Sequence, residues 1–459
     1  MTGHLLLVIV LFLTTVVARA QAPRAAHKVG EQAVPFDGGY GYPVYPLGDA
    51  KLCPAFSSHF YSYTVQFSVS GDMVFTCGYD DTNHNLFEFP VYDKDFRLLF
   101  KDAVSASRLG GMGSHNFSNP QFSQKRRVIY AQHSMTIYEL DPWRRKNKVY
   151  VNFAGVTVTH RDGSKIKPTV ARDFKVGPND EIVIELGVPR RAIQPKTKDC
   201  PHCYEQMGVA TFKPATGQIS TYSTRNDKKG ADYPGFRAPS SGFDESNIAQ
   251  DGRVYFSYQN RPSWSFAIDF SEPVEFREPA WPQYQIKGKK IEWGAHGHMG
   301  FFVGSNGRSY VVKSLSDLID DDSDGVIDRV GMIGTSIHGK WRPYFLLANT
   351  KTGKVEILWG ENSVEHGWGI EHLSRSQAKD VVWGSGMAIV TRFEVTYNRE
   401  GYPAKVEGGN IVNTQSKGGC GYWGWPRVAS DFSGERAMFD STLAGRCKSQ
   451  VYVVVRATQ

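Results

Sequence analysis

From residue 63 onward, apolar positions fall in short runs or alternate with polar ones, and Gly, Asn, Asp or Ser interrupts them every few residues. That spacing predicts strands joined by tight turns, since side chains alternate across a strand and a sharp reversal needs residues that accept positive φ. Seven stretches share one plan: a first strand, a small or polar turn, and a second strand rich in Val, Ile, Phe and Tyr. They are 63–77, turning at Ser70-Gly71-Asp72; 116–138; 169–186, turning at Gly177-Pro178-Asn179-Asp180; 246–268, turning at Asp251-Gly252; 294–328, turning at Asn306-Gly307; 372–391; and 426–455, turning at Ser433-Gly434. Two further passages, around Thr216-Gly217 and Thr352-Gly353, read almost alike as strand, turn and strand, with Gly at the left-handed position of a bulged hairpin. Helical periodicity is confined to two short candidates, 314–319 and 374–379.

Repeated sheet-like units with almost no helix predict an all-β fold, a β-propeller of seven blades, because radial repetition protects sheet edges that would otherwise lie open. A pair of sandwiches, or a ring of six or eight blades, are the alternatives. The 459 residues divide into a signal segment over 1–20, a lead-in over 21–50 and a single domain over 51–459. Hydrophobic content of 41% and charged content of 22% allow a large core and exclude a chain disordered throughout.

Residues 5–18 are a short apolar stretch, and Ala18-Arg19-Ala20 matches a small-residue cleavage site. Residues 1–20 therefore read as a secretory signal peptide, with a signal anchor as the alternative. The expected location is secreted or periplasmic, with no membrane attachment after cleavage. In such a compartment six cysteines favour disulfides. Cys53–Cys77 and Cys420–Cys447 are the expected pairs; Cys200-Pro201-His202-Cys203 reads either as a short-loop bridge or as half of a Zn2+ site with His202. A net charge of +7 suits an anionic partner such as an acidic polysaccharide. The cations look scattered and no nucleic-acid motif accompanies them, so nucleic acid is not an expected partner. A monomer is expected.

In a ring of blades, residues just before each innermost strand converge on one end of the central channel. Here those positions hold His59, His115, Asp244, Glu245, His296, His298, His366, His372, Trp425 and Arg427. Each histidine alone is as well explained by a bond to a neighbouring loop carbonyl; the joint pattern points to chemistry. The passage Gly113-Ser114-His115-Asn116-Phe117-Ser118-Asn119-Pro120, followed by Val128-Ile129-Tyr130-Ala131-Gln132-His133, resembles the second blade of the BNR-type propeller polysaccharide lyases, which include ulvan lyases and a rhamnose–glucuronate lyase. The resemblance implies that His115 and His133 face the channel, one acting as base or acid in an elimination across a uronate. That family carries a catalytic Tyr and a carboxylate-neutralising Arg on the next blade. No Tyr occurs here between Tyr150 and Tyr204, Arg190-Arg191 is a substitute for the Arg, and the nearest Tyr/Arg pair, Tyr233 with Arg237, enters the fourth unit. With His298, these make the candidate catalytic set His115, His133, Tyr233, Arg237 and His298. The last unit resembles a blade of the TolB-type and WD-repeat propellers through Pro426, Ser430, Ser433-Gly434, Phe439 and Ser441, which implies fold and not activity.

Elimination needs the uronate carboxylate neutralised, a base near neutrality and an acid for the leaving oxygen, roles that Arg, His and Tyr fill. A glycosidase would want two facing carboxylates; Asp244 and Glu245 are adjacent, and adjacent strand residues point to opposite faces. The acidic run is the sharpest single motif. Asp320, Asp322 and Asp324 on alternate positions, Gly325 at the turn, the Val326 carbonyl and Asp328 match an oxygen-donor Ca2+ loop, though position 12 is Gly331 where an EF-hand has Glu. A solvated acidic turn is the plain alternative. His296 and His298, two apart, share a face if extended and offer a lesser metal site, Zn2+ included. The leading functional expectation is a secreted lyase of a uronate-containing polysaccharide; the other is a non-catalytic propeller that binds glycan or protein with aromatics such as Tyr422, Trp423 and Trp425.

Overall fold

The computed structural model describes residues 29–48, 52–53, 56–58, 64–78, 87–109, 117–160, 162–189, 204–224, 232–233, 236–237, 243–258, 263–276, 284–286, 289–291, 299–320, 329–331, 336–359, 364–368, 372–386, 389–414, 426–442 and 449–456. Of these, 204–206, 232–233, 236–237, 243–244, 258, 284–286, 289–291, 314–320, 329–331, 336–344, 357, 359, 364–368 and 377 are described by backbone alone. Strand makes up 58% and helix 1%.

Each of the seven sequence units falls on antiparallel sheet. The second unit is the plainest: Ser118–Phe122, Ile129–His133, Thr136–Asp141 and Lys146–Asn152 pair in order. The third pairs Val170–Val176, Ile182–Pro189, Tyr204–Lys213 and Gln218–Ser223. The first unit is two three-stranded ladders that follow one another along 73–78 and 87–92. The last sheet is completed from the other end of the chain: Pro43–Leu47, inside the expected lead-in, pairs with Gln450–Val455.

Packing closes these sheets into a ring. Inner strands are buried on both faces, so they read as near-continuous apolar runs, as in Ile182-Val183-Ile184. Ile182 and Ile184 join Phe122 and Ile129 of the second unit and Val74 of the first. Val183, facing the other way, joins Ile248 and Phe256 of the fourth. Further clusters join the fourth unit to the fifth through Tyr255 and Phe301, the fifth to the sixth through Phe345 and Phe393, and the sixth to the seventh through Trp383 and Phe439. Met438 and Val453 of the seventh then pack on Phe67 and Phe75 of the first. The chain is a β-propeller.

A second ring of polar clamps runs around the turn end of the sheets. Arg127 holds Asp72 with two bonds of 2.7 Å, Ser123 and Arg126 hold Asp180 at 2.6 and 3.1 Å, and Thr350 holds Asp251 at 2.6 Å. Arg392 reaches Glu435 at 3.0 Å, and Arg436 donates to the Lys94 carbonyl at 2.9 Å. Between the fifth and sixth units the inner strands also pair in parallel, Phe301 N–H to the Ser374 carbonyl at 3.1 Å. Gly300 permits this approach, since a Cβ there would lie 2.4 Å from the Ser374 oxygen.

The paired Thr-Gly passages behave as their sequences predict: Gly217 and Gly353 both turn with positive φ, 69° and 68°. Neither helical candidate is helical. Ser309–Asp320 and Arg375–Lys379 are strands, held by pairing with Ser336–Asn349 and Met299–Val303, and these ladders override a weak local period. The single helix among the described residues is Ala103–Ala106, capped by the Asp102 carboxylate. No helix among the described residues is long and apolar enough to cross a membrane.

Candidate functional site at the channel mouth

The inner strands of the second, third and fourth units each break register with their neighbours, at Tyr130/Gln132, Arg172/Lys175 and Phe243/Glu245. Asn119 and Asp173 carry φ of 52° and 48° at these breaks. Such bulges turn side chains out of the alternating pattern and re-aim them.

Below the breaks, side-chain amides tie one inner strand to the next. Gln66 Nε2 donates to the Pro120 carbonyl at 3.1 Å. Asn119 Nδ2 and Gln121 Nε2 both donate to the Phe174 carbonyl, at 3.1 and 2.7 Å. Gln250 Nε2 donates to the Ser376 carbonyl at 3.0 Å. Arg375, fully buried on the sixth unit, donates through Nη1 to the Val176 carbonyl of the third, which Gln124 Nε2 also reaches at 3.0 Å. Burial pushes the Arg375 guanidinium down to about 9, against the opposing field of Glu181. These bonds tie the first strands of several sheets to one another.

Around the breaks, charge gathers. Glu185 is buried and accepts from Ser246 N–H and Oγ at 3.0 and 3.2 Å. Burial raises its pKa, while Lys175 and the Ser246 bonds work against that rise. Lys175 Nζ donates to the Asp173 carbonyl at 3.0 Å. Arg172 and Asp173 form an ion pair of 2.9 Å and are solvent-exposed and half-buried respectively. Both stand on Val170–Val176, the first strand of its sheet. Glu245, across on the fourth unit, is half-buried.

His133 ends the second strand of its unit, opposite Thr136, and Ser134 makes the turn with φ 55°. Its ring packs 5.5 Å from that of Phe117 and is half-buried. Its neighbour Gln132 faces the third unit, where Nε2 donates to the Ala171 carbonyl at 2.9 Å and so fixes the strand end against the residue before Arg172. His115 and His298 lie outside the described residues, as do His59, His296 and Trp425; His366 is on the strand Val364–Trp368, described by backbone alone. Tyr233 and Arg237 stand on a short hairpin whose register pairs Tyr233 with Phe236 and Asp232 with Arg237. His372 is buried at a strand start, opposite Ser385. Arg427 is buried 3.7 Å from Asp440, whose carboxylate accepts from Ser58 Oγ at 2.9 Å, so it joins the seventh unit to the first.

Asp320 closes the strand Ser309–Asp320, and Arg329–Gly331 pairs back on it through Ile319↔Arg329. The acidic run is thus the connection of a β-hairpin. Asp322, Asp324, Val326 and Asp328 lie outside the described residues. Among the described residues no cluster of three His, Cys, Asp or Glu could hold a metal. The expected Cys53–Cys77 disulfide is present; Cys200, Cys203, Cys420 and Cys447 lie outside the described residues.

Arg172, Asp173, Lys175, Glu185 and Arg375 are site residues that the sequence reading passes over. A signal existed for one: Glu185 interrupts Ile182-Val183-Ile184 and Leu186, and a carboxylate in so apolar a run requires a partner.

No family model matches this chain, and no curated protein matches it. Solved structures similar to it include the β-propeller domain of the Trilobed protease from Pyrococcus furiosus, 11% identical with a TM-score of 0.39, over 86% of this chain and 93% of that one. A gluconolactonase from Xanthomonas campestris is 9% identical with a TM-score of 0.36, over 93% of this chain and 98% of that one. At such scores neither likeness carries an argument about activity.

Proposed function

We propose that this protein is an exported, seven-bladed propeller that cleaves a uronate-containing polysaccharide by β-elimination at the channel mouth. One observation carries the reading: the Gln132–Ala171 bond sets the strand end bearing His133 beside the strand bearing Arg172. A solvent-exposed guanidinium is suited to a uronate carboxylate, and an imidazole near neutrality is suited to the proton beside it. In the reaction a base takes the C5 proton. The electron pair left behind forms the C4–C5 double bond, the bond from C4 to the glycosidic oxygen breaks, and an acid protonates that oxygen. Arg172 neutralises the carboxylate, His133 or His115 takes the proton, and Tyr233, Arg237 and His298 are further candidates. The Cys53–Cys77 disulfide is in keeping with export.

Ca2+ belongs to the proposal as a structural ion. A hairpin connection with Asp320, Asp322, Asp324 and Asp328 offers hard oxygen donors on alternate residues, the chemistry such an ion takes. A second reading is a non-catalytic glycan binder, in which Arg172, solvent-exposed on its strand, holds a carboxylate with no proton transfer.

The test is incubation with a panel of uronate polymers, following absorbance of the unsaturated product. His133→Ala should lower turnover about 10²-fold or more. Arg172→Ala should weaken action on the native polymer, while a carboxyl-reduced polymer, which lacks the acidified C5 proton, should be cleaved by neither form. Binding without cleavage by the wild type would leave the glycan binder standing.

A further inference from the structure

The second unit carries its cations at one end. Register places Ile129 beside Leu140 and His133 beside Thr136, so the turn 123–128 and the turn 142–145 lie together, at the end of the sheet away from His133. Four residue steps along the strand separate the two ends, about 14 Å. The first turn holds Lys125, Arg126 and Arg127; the second leads through Arg144 and Arg145 to Lys146 and Lys148. Cations scattered in the sequence are thereby gathered into two rows, about 10 Å apart across two strand spacings.

The acids that pair with these cations lie beneath this layer, while half-buried Asp93 of the first unit also bears on Arg127. Asp72, Asp180, Glu139 and Asp141 expose 2, 8, 10 and 14% of their side chains. Arg126, Arg127, Lys148 and Arg144, their partners, expose 42, 43, 60 and 80%. Lys125, Arg145 and Lys146 are exposed and make no ion pair among the described residues. What approaches from outside therefore meets positive charge, with the compensating carboxylates shielded below it. Arg127 lies 4.4 Å over the Trp143 ring, which stiffens the platform.

We propose that this turn-end surface docks an acidic polysaccharide, separately from the channel mouth. The choice of polymer rests on the proposed function; the charge layout does not. A nucleic acid would be served by aromatic faces for stacking, and Trp143 is covered by Arg127. A membrane would be served by an apolar face, and Val149 is the one large exposed apolar side chain described on this sheet.

The full-length protein and a Lys125→Glu/Arg145→Glu/Lys146→Glu variant decide the matter, using polygalacturonate, a sulfated polysaccharide, neutral dextran, duplex DNA and anionic lipid vesicles. The wild type should bind the acidic polysaccharides in a salt-sensitive manner and leave dextran unbound. The variant should lose about tenfold or more in affinity, with an unchanged melting temperature and unchanged cleavage of a short uronate oligosaccharide. Arg172→Ala should keep most of the polymer affinity. If the triple variant binds like wild type, or Arg172→Ala alone abolishes polymer binding, the docking surface is wrong while the lyase reading survives. Equal or tighter binding of DNA or vesicles also overturns it. Loss of polymer binding in the triple variant, with no cleavage by any form, keeps the docking surface and removes the lyase.

Discussion

Replacing Arg375 by Met should stabilise the protein. A fall from 12.5 to about 9 weighs about 5 kcal/mol against the charged guanidinium in its buried place. Against that stands the loss of one charged hydrogen bond, about 1.5–3 kcal/mol. The Val176 carbonyl keeps Gln124 as a donor, and Glu181 keeps the Asn179 N–H and Nδ2 bonds at 2.7 and 2.9 Å. Among the described residues, Arg375 Nε and Nη2 have no partner to lose. Met fills a similar length without desolvating a charge, so the balance favours the variant by about 2–3 kcal/mol. For a chain of this size that is a rise of about 2–3 °C in melting temperature. The pH dependence has a definite sign. The folded-state value lies below the unfolded one, so the penalty is fully present below about pH 9. It fades as pH rises through about 9, where the folded protein releases a proton that the unfolded chain keeps. Urea melts of both proteins from pH 7 to 10.5 should show the gap narrowing at the alkaline end. Destabilisation by about 3–5 kcal/mol, the cost of breaking a buried pair, would refute this reasoning.

Removing Arg127 should cost about 2 kcal/mol or more, because Asp72 stays buried with Ser68 as its remaining side-chain donor; Lys125→Ala, on the same turn, should stay within about 0.5 kcal/mol in the same denaturation assay. Breaking Cys53–Cys77 by paired Ala substitutions should cost about 3 kcal/mol, from the entropy of a loop spanning 24 positions, read as a lower urea midpoint. Chelation should lower the melting temperature of the wild type through linkage, and Asp322→Ala should abolish that response; identical responses would reduce the loop to a turn. Deleting residues 43–47 should leave the edge of Gln450–Val455 unpaired and shift the protein toward aggregates in size-exclusion chromatography.

The parts of the fold legible in the sequence are those fixed by local backbone chemistry. Gly71, Gly252, Gly307 and Gly434 mark turns between paired strands, and each adopts positive φ. What the sequence hides depends on distant partners. Residues 314–319 look helical until the strand Ser336–Asn349 pairs with them. Pro43–Leu47 looks like lead-in because its partner is at the far end of the chain. The site follows the same division. His133 is legible as the end of a return strand, but Arg172 gains its place only from a bulge at Asp173 and from the Gln132 amide of another sheet. Arg375 likewise acquires meaning from a carbonyl 199 positions away.

Ring closure also sets a clock. Val44 and Val454, partners in the last sheet, are 410 positions apart, so one strand waits for the other throughout most of synthesis. At about 5–20 residues per second that wait is roughly 20–80 s. During it Pro43–Leu47 has no seventh sheet to join, and Phe67, Met73 and Phe75 lack the Met438 and Val453 surface that later covers them. The ring can be sealed only after its last sheet has been made, and the half-built molecule must be kept from pairing its open edge with another chain until then.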